Sequence, residues 1–135
     1  MSKLTCVFRR PRFPIICKIS GELVAGENLQ QFERRLGNVD LSVADSFDIV
    51  DGTGKGWVLH PDLSAISPLT LDRRWTKSRV IEMFNTSANA QRMGLQYPHP
   101  SFANRRLDMV IREVVDLLNQ AARTVPHATR KYART

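Results

Sequence analysis

Residues 46–60 read SFDIV-DGTGKG-WVLH, and this stretch decides the fold. Phe47 and Ile49 alternate with Asp48 and Val50, a period of two that is typical of a β-strand. The segment that follows is rich in glycine, which permits the positive φ that tight connections require. A second apolar run, starting at Trp57, comes directly after it. The pattern predicts a β-hairpin.

Two more strands are predicted near the N-terminus. Residues 3–8 and 14–19 are rich in β-branched and aromatic side chains, and the basic, proline-containing segment 9–13 separates them. We expect these strands to form a second hairpin-like pair. The sheet would then be antiparallel and have about four strands.

Helical signals occupy the rest of the chain. Asn28 and Gln31 have the spacing of a capping box, and Thr76 looks like an N-cap, with Trp75 and Val80 as its hydrophobic staple. These signals predict helices near 28–36 and 76–84, and a shorter helix is expected at 87–93. Ser101 is predicted to cap the longest helix, whose apolar stripe has spacings of three and four and consists of Leu107, Ile111, Val114, Leu118, Ala121 and Val125.

The order β-β-α-β-β-α-α-α, without alternating βαβ units, predicts an α+β fold with three to four helices packed on one face of a small antiparallel sheet. A chain of 135 residues suits one domain. We place that domain at 1–125 and a flexible basic tail at 126–135. The intervening segment 61–75 is predicted to be a loop from which Ile66, Leu69 and Leu71 pack onto the core.

Several classes of protein are disfavoured by composition. Two cysteines, Cys6 and Cys17, are too few for the disulfide framework of a small secreted domain, so buried thiols in the cytoplasm are expected. A disulfide between them requires that their strands pair. Three scattered histidines lack the spacing of a zinc site, and we assign no metal or cofactor. The longest apolar run is too short to span a bilayer.

Charge gives the main indication of function. The formal net charge is +7, residues 1–20 hold five bases and no acid, and residues 21–62 hold eight acids and three bases. Such asymmetry is typical of a surface that faces a polyanion. We therefore predict a non-catalytic module that binds DNA or RNA. Its candidate contacts are Arg9, Arg10, Arg12, Arg73, Arg74, Lys77, Arg79, Arg92, Arg105, Arg106, Arg130 and Lys131.

Two local motifs bear on nucleic-acid chemistry. Residues 80–94 look somewhat like a helix-turn-helix, whose second helix would present Asn89, Gln91 and Arg92 to base edges. Its apolar anchors fit neither register of that motif. The segment 51–56 resembles a phosphate-binding loop, but its lysine is followed by a glycine and a strand rather than by Ser or Thr and a helix. A hairpin turn explains it better.

Two other classes of function stay open on the sequence. One is a protein-interaction or accessory domain, which could self-associate through an apolar face of the long helix. The other is a small enzyme with a cleft near the 47–71 hairpin and loop, where His60, Asp62 and Cys17 would be the residues to inspect. No residue is assigned a catalytic role.

Overall fold

The computed structural model describes residues 3–97 and 105–133, with side chains as far as Gln120. The strands are β1 (Thr5–Cys6), β2 (Ile15–Ile19), β3 (Glu22–Gly26), β4 (Phe47–Val50), β5 (Gly56–His60) and β6 (Ala65–Ser67). The helices are α1 (Leu29–Leu36), α2 (Lys77–Asn85), α3 (Ala88–Met93) and α4 (Leu107–Ala133), and a 3-10 turn at Pro61–Leu63 precedes β6. The fold is α+β, as predicted.

The hairpin at 46–60 is confirmed. β4 and β5 pair antiparallel, with Phe47 opposite Leu59 and Val50 opposite Gly56. The glycine-rich segment turns between them, where the amide of Gly54 donates to the carbonyl of Asp51 at 3.0 Å. This hairpin forms the centre of a six-stranded sheet with the order β1-β6-β5-β4-β2-β3.

The prediction of about four strands is an undercount, and the predicted N-terminal pair of strands is wrong. β1 pairs with β6, in parallel, while β2 pairs antiparallel with β3 and β4. Segment 9–13 therefore carries the chain across the sheet instead of closing a hairpin. β3 was missed because it is buried on both faces and lacks alternation. β6 was missed because it has only three residues and precedes Pro68.

Helices pack on both faces of the sheet, which corrects the prediction of a single covered face. Phe32 and Leu36 of α1 pack with Ile15, Cys17 and other side chains of one face. On the opposite face, Ile16 packs with the cluster formed by α2, α3 and α4. Consecutive residues of β2 thus enter different cores, because successive side chains of a strand point to opposite faces.

The predicted helix starts are confirmed where the structure describes them. The side-chain oxygen of Asn28 accepts from the amide of Gln31 at 2.8 Å, and Thr76 accepts from the amide of Arg79 at 3.2 Å. The predicted cap at Ser101 lies outside the described residues. α4 is helical as far as Ala133 and so continues into the segment predicted as a tail. The flexibility of that segment stays a prediction.

The loop after β6 differs from its prediction. Ile66 is buried, as expected, but Leu69 is 69% exposed and Leu71 is 101% exposed. The loop is attached to the sheet through its backbone, because the amide of Gly56 donates to the carbonyl of Arg73 at 2.8 Å. Its two leucines are therefore directed to solvent, and the only large apolar anchor of segment 69–75 is the buried Trp75.

Candidate anion-binding cleft

A concave site lies where the loop after β6 meets the start of β5. Its volume is about 630 Å³, and it is lined by Arg9, Lys55, Gly56, Pro68, Leu69, Thr70, Leu71 and Arg73. Three segments that are distant in sequence thus meet: the connection after β1, the β4–β5 turn, and the loop after β6. We call this site the basic cleft.

Backbone pairing brings Lys55 and Arg73 to the same place. The amide of Trp75 donates to the carbonyl of Gly54 at 2.8 Å, and Lys55 forms an isolated antiparallel bridge with Arg74. A Cβ at position 56 would lie only 1.7 Å from the carbonyl oxygen of Asp72. Only glycine allows the two backbones to approach this closely.

The charge of the basic cleft is unbalanced. Arg9, Lys55 and Arg73 line it, and no carboxylate of the described residues does. Among the residues that the structure describes, no hydrogen bond and no ion pair is formed by the guanidinium group of Arg9 or of Arg73. The nearest acid along the loop, Asp72, is paired with Arg79 at 3.3 Å. Unpaired cations grouped in a concavity concentrate positive potential there.

Apolar side chains border these cations. Leu69 and Leu71 are exposed on the loop, and Phe8, next to Arg9 in the chain, is 75% exposed. Exposed apolar groups of this size beside a cleft are typical of binding surfaces. The site therefore offers positive charge to an anionic group and apolar surface to the rest of the molecule that carries this group.

Of the predicted contacts whose side chains the structure describes, Arg9 and Arg73 alone line the basic cleft. Lys55 was missed, because only the pairing of the turn with residues 73–75 places it there. Phe8 was missed too; the sequence signal for it was an aromatic residue followed directly by Arg9 and Arg10. Arg10 is exposed, and its charge acts on the half-buried thiol of Cys6, whose pKa is nevertheless raised by burial.

Most other predicted contacts have partners inside the protein. Arg74 donates to the carbonyl of Thr53 at 3.5 Å, and the ammonium of Lys77 to the carbonyl of Arg105 at 2.8 Å. Arg79 stacks on Trp75, with its guanidinium carbon 3.8 Å from the centroid of the ring. Ion pairs join Arg92 to Glu22, Arg105 to Glu113 and Arg106 to Asp108. Arg130 and Lys131 lie on the last turns of α4, where side chains are not described.

A second cleft, of about 500 Å³, contains Arg12 but has mixed charge. Asp108, Arg112 and Glu113 also line it. Arg112 is paired with Glu27 and Asp116, and Glu113 accepts from Tyr97 and Arg105. Arg112 and Glu113 are thus paired with groups outside the cleft, and two carboxylates line it, so this cleft is less suited to an anion.

α2 and α3 follow one another through a short turn, but α3 does not leave free all of the side chains that the helix-turn-helix resemblance assigned to base edges. α3 packs against β3, where the buried side chain of Asn89 accepts from the amide of Leu23 at 2.8 Å and donates to its carbonyl at 3.1 Å. Arg92 is held by both carboxylate oxygens of Glu22, at 3.1 and 2.6 Å. Two of the three side chains proposed to read bases are thus engaged with the sheet.

The residues considered for catalysis do not meet in either cleft. Cys17 is fully buried between the sheet and α1, and burial raises the pKa of its thiol. His60 lies 3.1 Å from the hydroxyl of Ser67, and Asp62 is exposed in the 3-10 turn. None of these side chains lines the basic cleft or the second cleft. Both cysteines are free thiols.

Within residues 3–97 and 105–133, no group of His, Cys, Asp and Glu is arranged to hold a metal ion. The helices of the same region include none that is both long and apolar enough to cross a membrane. Comparisons with protein-family models, curated proteins and solved structures found no match to this chain.

Proposed function

We propose that this protein is a non-catalytic binding module that holds nucleic acid through the phosphates of its backbone. The observation that supports it is the basic cleft itself, in which Arg9, Lys55 and Arg73 converge and no carboxylate lies among the described lining residues. Each arginine presents a planar fork that can bind a phosphate through two parallel hydrogen bonds, while Lys55 contributes a point charge.

The surroundings of the cleft favour a polyanion over a small isolated anion. Arg10 is exposed on the same connection as Arg9, and Arg74, which also donates to the carbonyl of Thr53 at 3.5 Å, is exposed on the same loop as Arg73. We expect these two cations to extend the positive charge beyond the cleft. An oligomer of phosphates can engage the cleft and these flanking cations together, whereas a single phosphate can engage only one part of them.

A salt titration tests this proposal. Binding of labelled DNA and RNA oligonucleotides should weaken steeply between about 50 and 200 mM salt, because neutralising phosphates releases counterions. The double variant Arg9→Gln/Arg73→Gln should bind more weakly. Its salt dependence should be shallower by about 0.7 to 0.9 in the log–log slope for each phosphate that is no longer neutralised.

The matched control is Lys18→Gln/Arg34→Gln, which removes the same charge from exposed positions outside the cleft. This control should keep most of the affinity and the original slope. An absence of binding at low salt, or equal decreases in affinity in both double variants, would show that the basic cleft is not a nucleic-acid site.

A second candidate function is protein interaction, which the exposure of Leu69 and Leu71 favours. Under this alternative the two leucines enter an apolar pocket of a partner, or of a second copy, and the bases select for acidic neighbours. Leu69→Ser/Leu71→Ser would then abolish complex formation or self-association, measured by sedimentation. Oligonucleotide binding would be absent in the unmodified chain.

A further inference from the structure

Phe8 is an exposed aromatic residue in a protein that buries other phenylalanines in its cores. Phe32, Phe47 and Phe84 are each at most 5% exposed, whereas Phe8 is 75% exposed. An exposed aromatic ring beside unpaired cations is a common feature of surfaces that bind single-stranded nucleic acid.

The backbone of Phe8 has an unfavourable conformation. Its φ is +71°, in the left-handed region that bulky side chains avoid. The amide of Arg9 donates to the carbonyl of Val7 at 2.8 Å, so Phe8 is the central residue of a tight three-residue turn. The pairing of β1 with β6 fixes the preceding residue, since the amide of Val7 donates to the carbonyl of Ile66 at 2.8 Å. The strained turn directs the ring outward, where the side chain buries little apolar surface.

The turn also lies next to the basic cleft in the chain, because the residue after Phe8 lines it. β1 and β6 run in parallel, with Cys6 beside Ile66, and the amide of Val7 still bonds the carbonyl of Ile66. Phe8 therefore directly follows a segment that is held against the strand leading into Pro68. Pro68 lines the cleft, as does Arg9, the residue directly after Phe8. An exposed aromatic ring and a guanidinium group of the cleft thus belong to consecutive residues.

We propose that Phe8 stacks on an unpaired base whose flanking phosphate lies between Arg9 and Arg73, so that the site selects single-stranded over double-stranded nucleic acid. This inference rests on the proposed function. In a duplex the faces of the bases are covered by their neighbours, and a ring at the rim cannot reach them. In a single strand a base can turn outward, stack on Phe8 and leave its phosphate in the cleft. Leu69 and Leu71 supply apolar surface for the neighbouring nucleotide.

The test compares Phe8→Leu, which keeps the apolar bulk, with Phe8→Trp, which keeps an aromatic face. Phe8→Leu should lower the affinity for a single-stranded oligonucleotide about tenfold. It should leave both the affinity for a duplex of equal length and the salt slope unchanged. Phe8→Trp should keep the affinity, and its exposed indole should be quenched by oligothymidylate, against the background of the buried Trp57 and Trp75.

A stability measurement separates a binding role from a structural one. Phe8→Asn should raise the melting temperature, because asparagine tolerates the left-handed region, while the single-strand affinity falls. A lower melting temperature for Phe8→Asn would show that the ring stabilises the fold, and would overturn the inference.

The inference and the proposed function fail in different ways. If Phe8→Leu binds single strands as tightly as the unmodified chain, while Arg9→Gln/Arg73→Gln does not, stacking is wrong and the phosphate site stands. If no oligonucleotide binds but vesicles of phosphatidylcholine and phosphatidylglycerol bind in a Phe8-dependent manner, both are overturned in favour of an anionic lipid surface.

Discussion

Asp51 is a buried carboxylate that organises the turn between β4 and β5. One oxygen accepts from the amide of Thr53 at 2.9 Å, from its hydroxyl at 2.7 Å and from the amide of Lys55 at 3.0 Å. The other accepts from the indole of Trp57 at 2.9 Å and from the amide of Arg12 at 3.3 Å. Neutral donors thus replace the water that this buried charge has lost. The same bonds fix the backbone of Lys55, which lines the basic cleft.

The two tryptophans differ in how their N–H groups are satisfied, and a matched pair of substitutions exploits the difference. The indole of Trp57 donates to Asp51, whereas that of Trp75 is buried without an acceptor among the described residues. Both rings are nearly fully buried. Trp57→Phe should therefore lower the free energy of unfolding by about 1–3 kcal/mol more than Trp75→Phe does, because only Trp57→Phe removes a hydrogen bond from a buried charge. Chemical denaturation of both variants measures this, and an equal or greater destabilisation in Trp75→Phe would contradict it.

At the scale of elements, β3 is an edge strand whose outer side is covered by side chains. Asn89 bonds both the amide and the carbonyl of Leu23, and Arg35 donates to the carbonyl of Ala25 at 2.9 Å. The amide of Ala88 donates to the carbonyl of Gly21 at 2.8 Å. An unpaired edge would be a template for association with another chain, and these hydrogen bonds block it.

Asn89→Ala should destabilise the protein by about 1–3 kcal/mol, because it leaves two buried backbone groups of β3 without partners. Gln91→Ala, at an exposed position on the same helix, is the matched control and should change stability little. Thermal and chemical denaturation provide the measurement. Similar destabilisation in both variants would indicate that the helical propensity of α3, rather than the edge of β3, accounts for the effect.

Gly56→Ala should detach the loop after β6 from the sheet. The added methyl group would lie 1.7 Å from the carbonyl of Asp72, so the loop must move away, at a cost of about 1–3 kcal/mol or more. Because Arg73 is on this loop, affinity for oligonucleotides should fall as well. Gly21→Ala is the control, since a Cβ there meets no atom within 4 Å. If Gly56→Ala bound oligonucleotides normally, the position of the loop would not matter for binding.

The elements that the sequence predicts are those whose signal is local. The glycine-rich turn of the hairpin, the caps at Asn28 and Thr76, and the stripe of α4 each lie within a few residues of the structure they specify. β3 and β6 could not be predicted in this way. The first is covered on both faces and so lacks alternation, and the second is a short strand defined by partners at 5–6 and 58–60. Pairing between distant segments leaves no local periodicity.

At the scale of the whole molecule, the excess positive charge is distributed unevenly by folding. Acidic residues pair with Arg79, Arg92, Arg105, Arg106 and Arg112. Composition indicated a surplus of bases, and Arg9 and Arg73 were among the residues predicted as contacts, a role that stays a prediction. It could not indicate which cations would remain unpaired, because partners such as Glu22 and Arg92 are seventy residues apart in sequence. Nor could composition indicate that folding brings Lys55 and Arg73 to the same cleft.

Another charged network joins α4 to the β3–α1 layer. The carboxylate of Glu27 accepts from Arg112 at 2.8 Å and from the side-chain amide of Asn119 at 2.9 Å. The oxygen of Asn119 in turn accepts from Arg35 at 2.7 Å. The hydrogen bond from Arg112, foremost, holds the pKa of Glu27 below its usual value. A carboxyl whose pKa is lowered on folding stabilises the protein only while it is ionised.

Acid should therefore weaken the attachment of α4. The contribution of Glu27 is fully present above its unfolded-state pKa of about 4.3 and is lost as the pH falls through the lower value in the folded protein. Glu27→Gln should thus be less stable than the unmodified chain at pH 7, and the difference should shrink steadily below about pH 4. Glu82→Gln, at an exposed position on α2, is the matched control for replacing a glutamate by glutamine. Urea denaturation at a series of pH values measures both. If the deficit of Glu27→Gln were independent of pH, the carboxylate charge would not be what connects α4 to the sheet, because protonation removes that charge without removing the side chain.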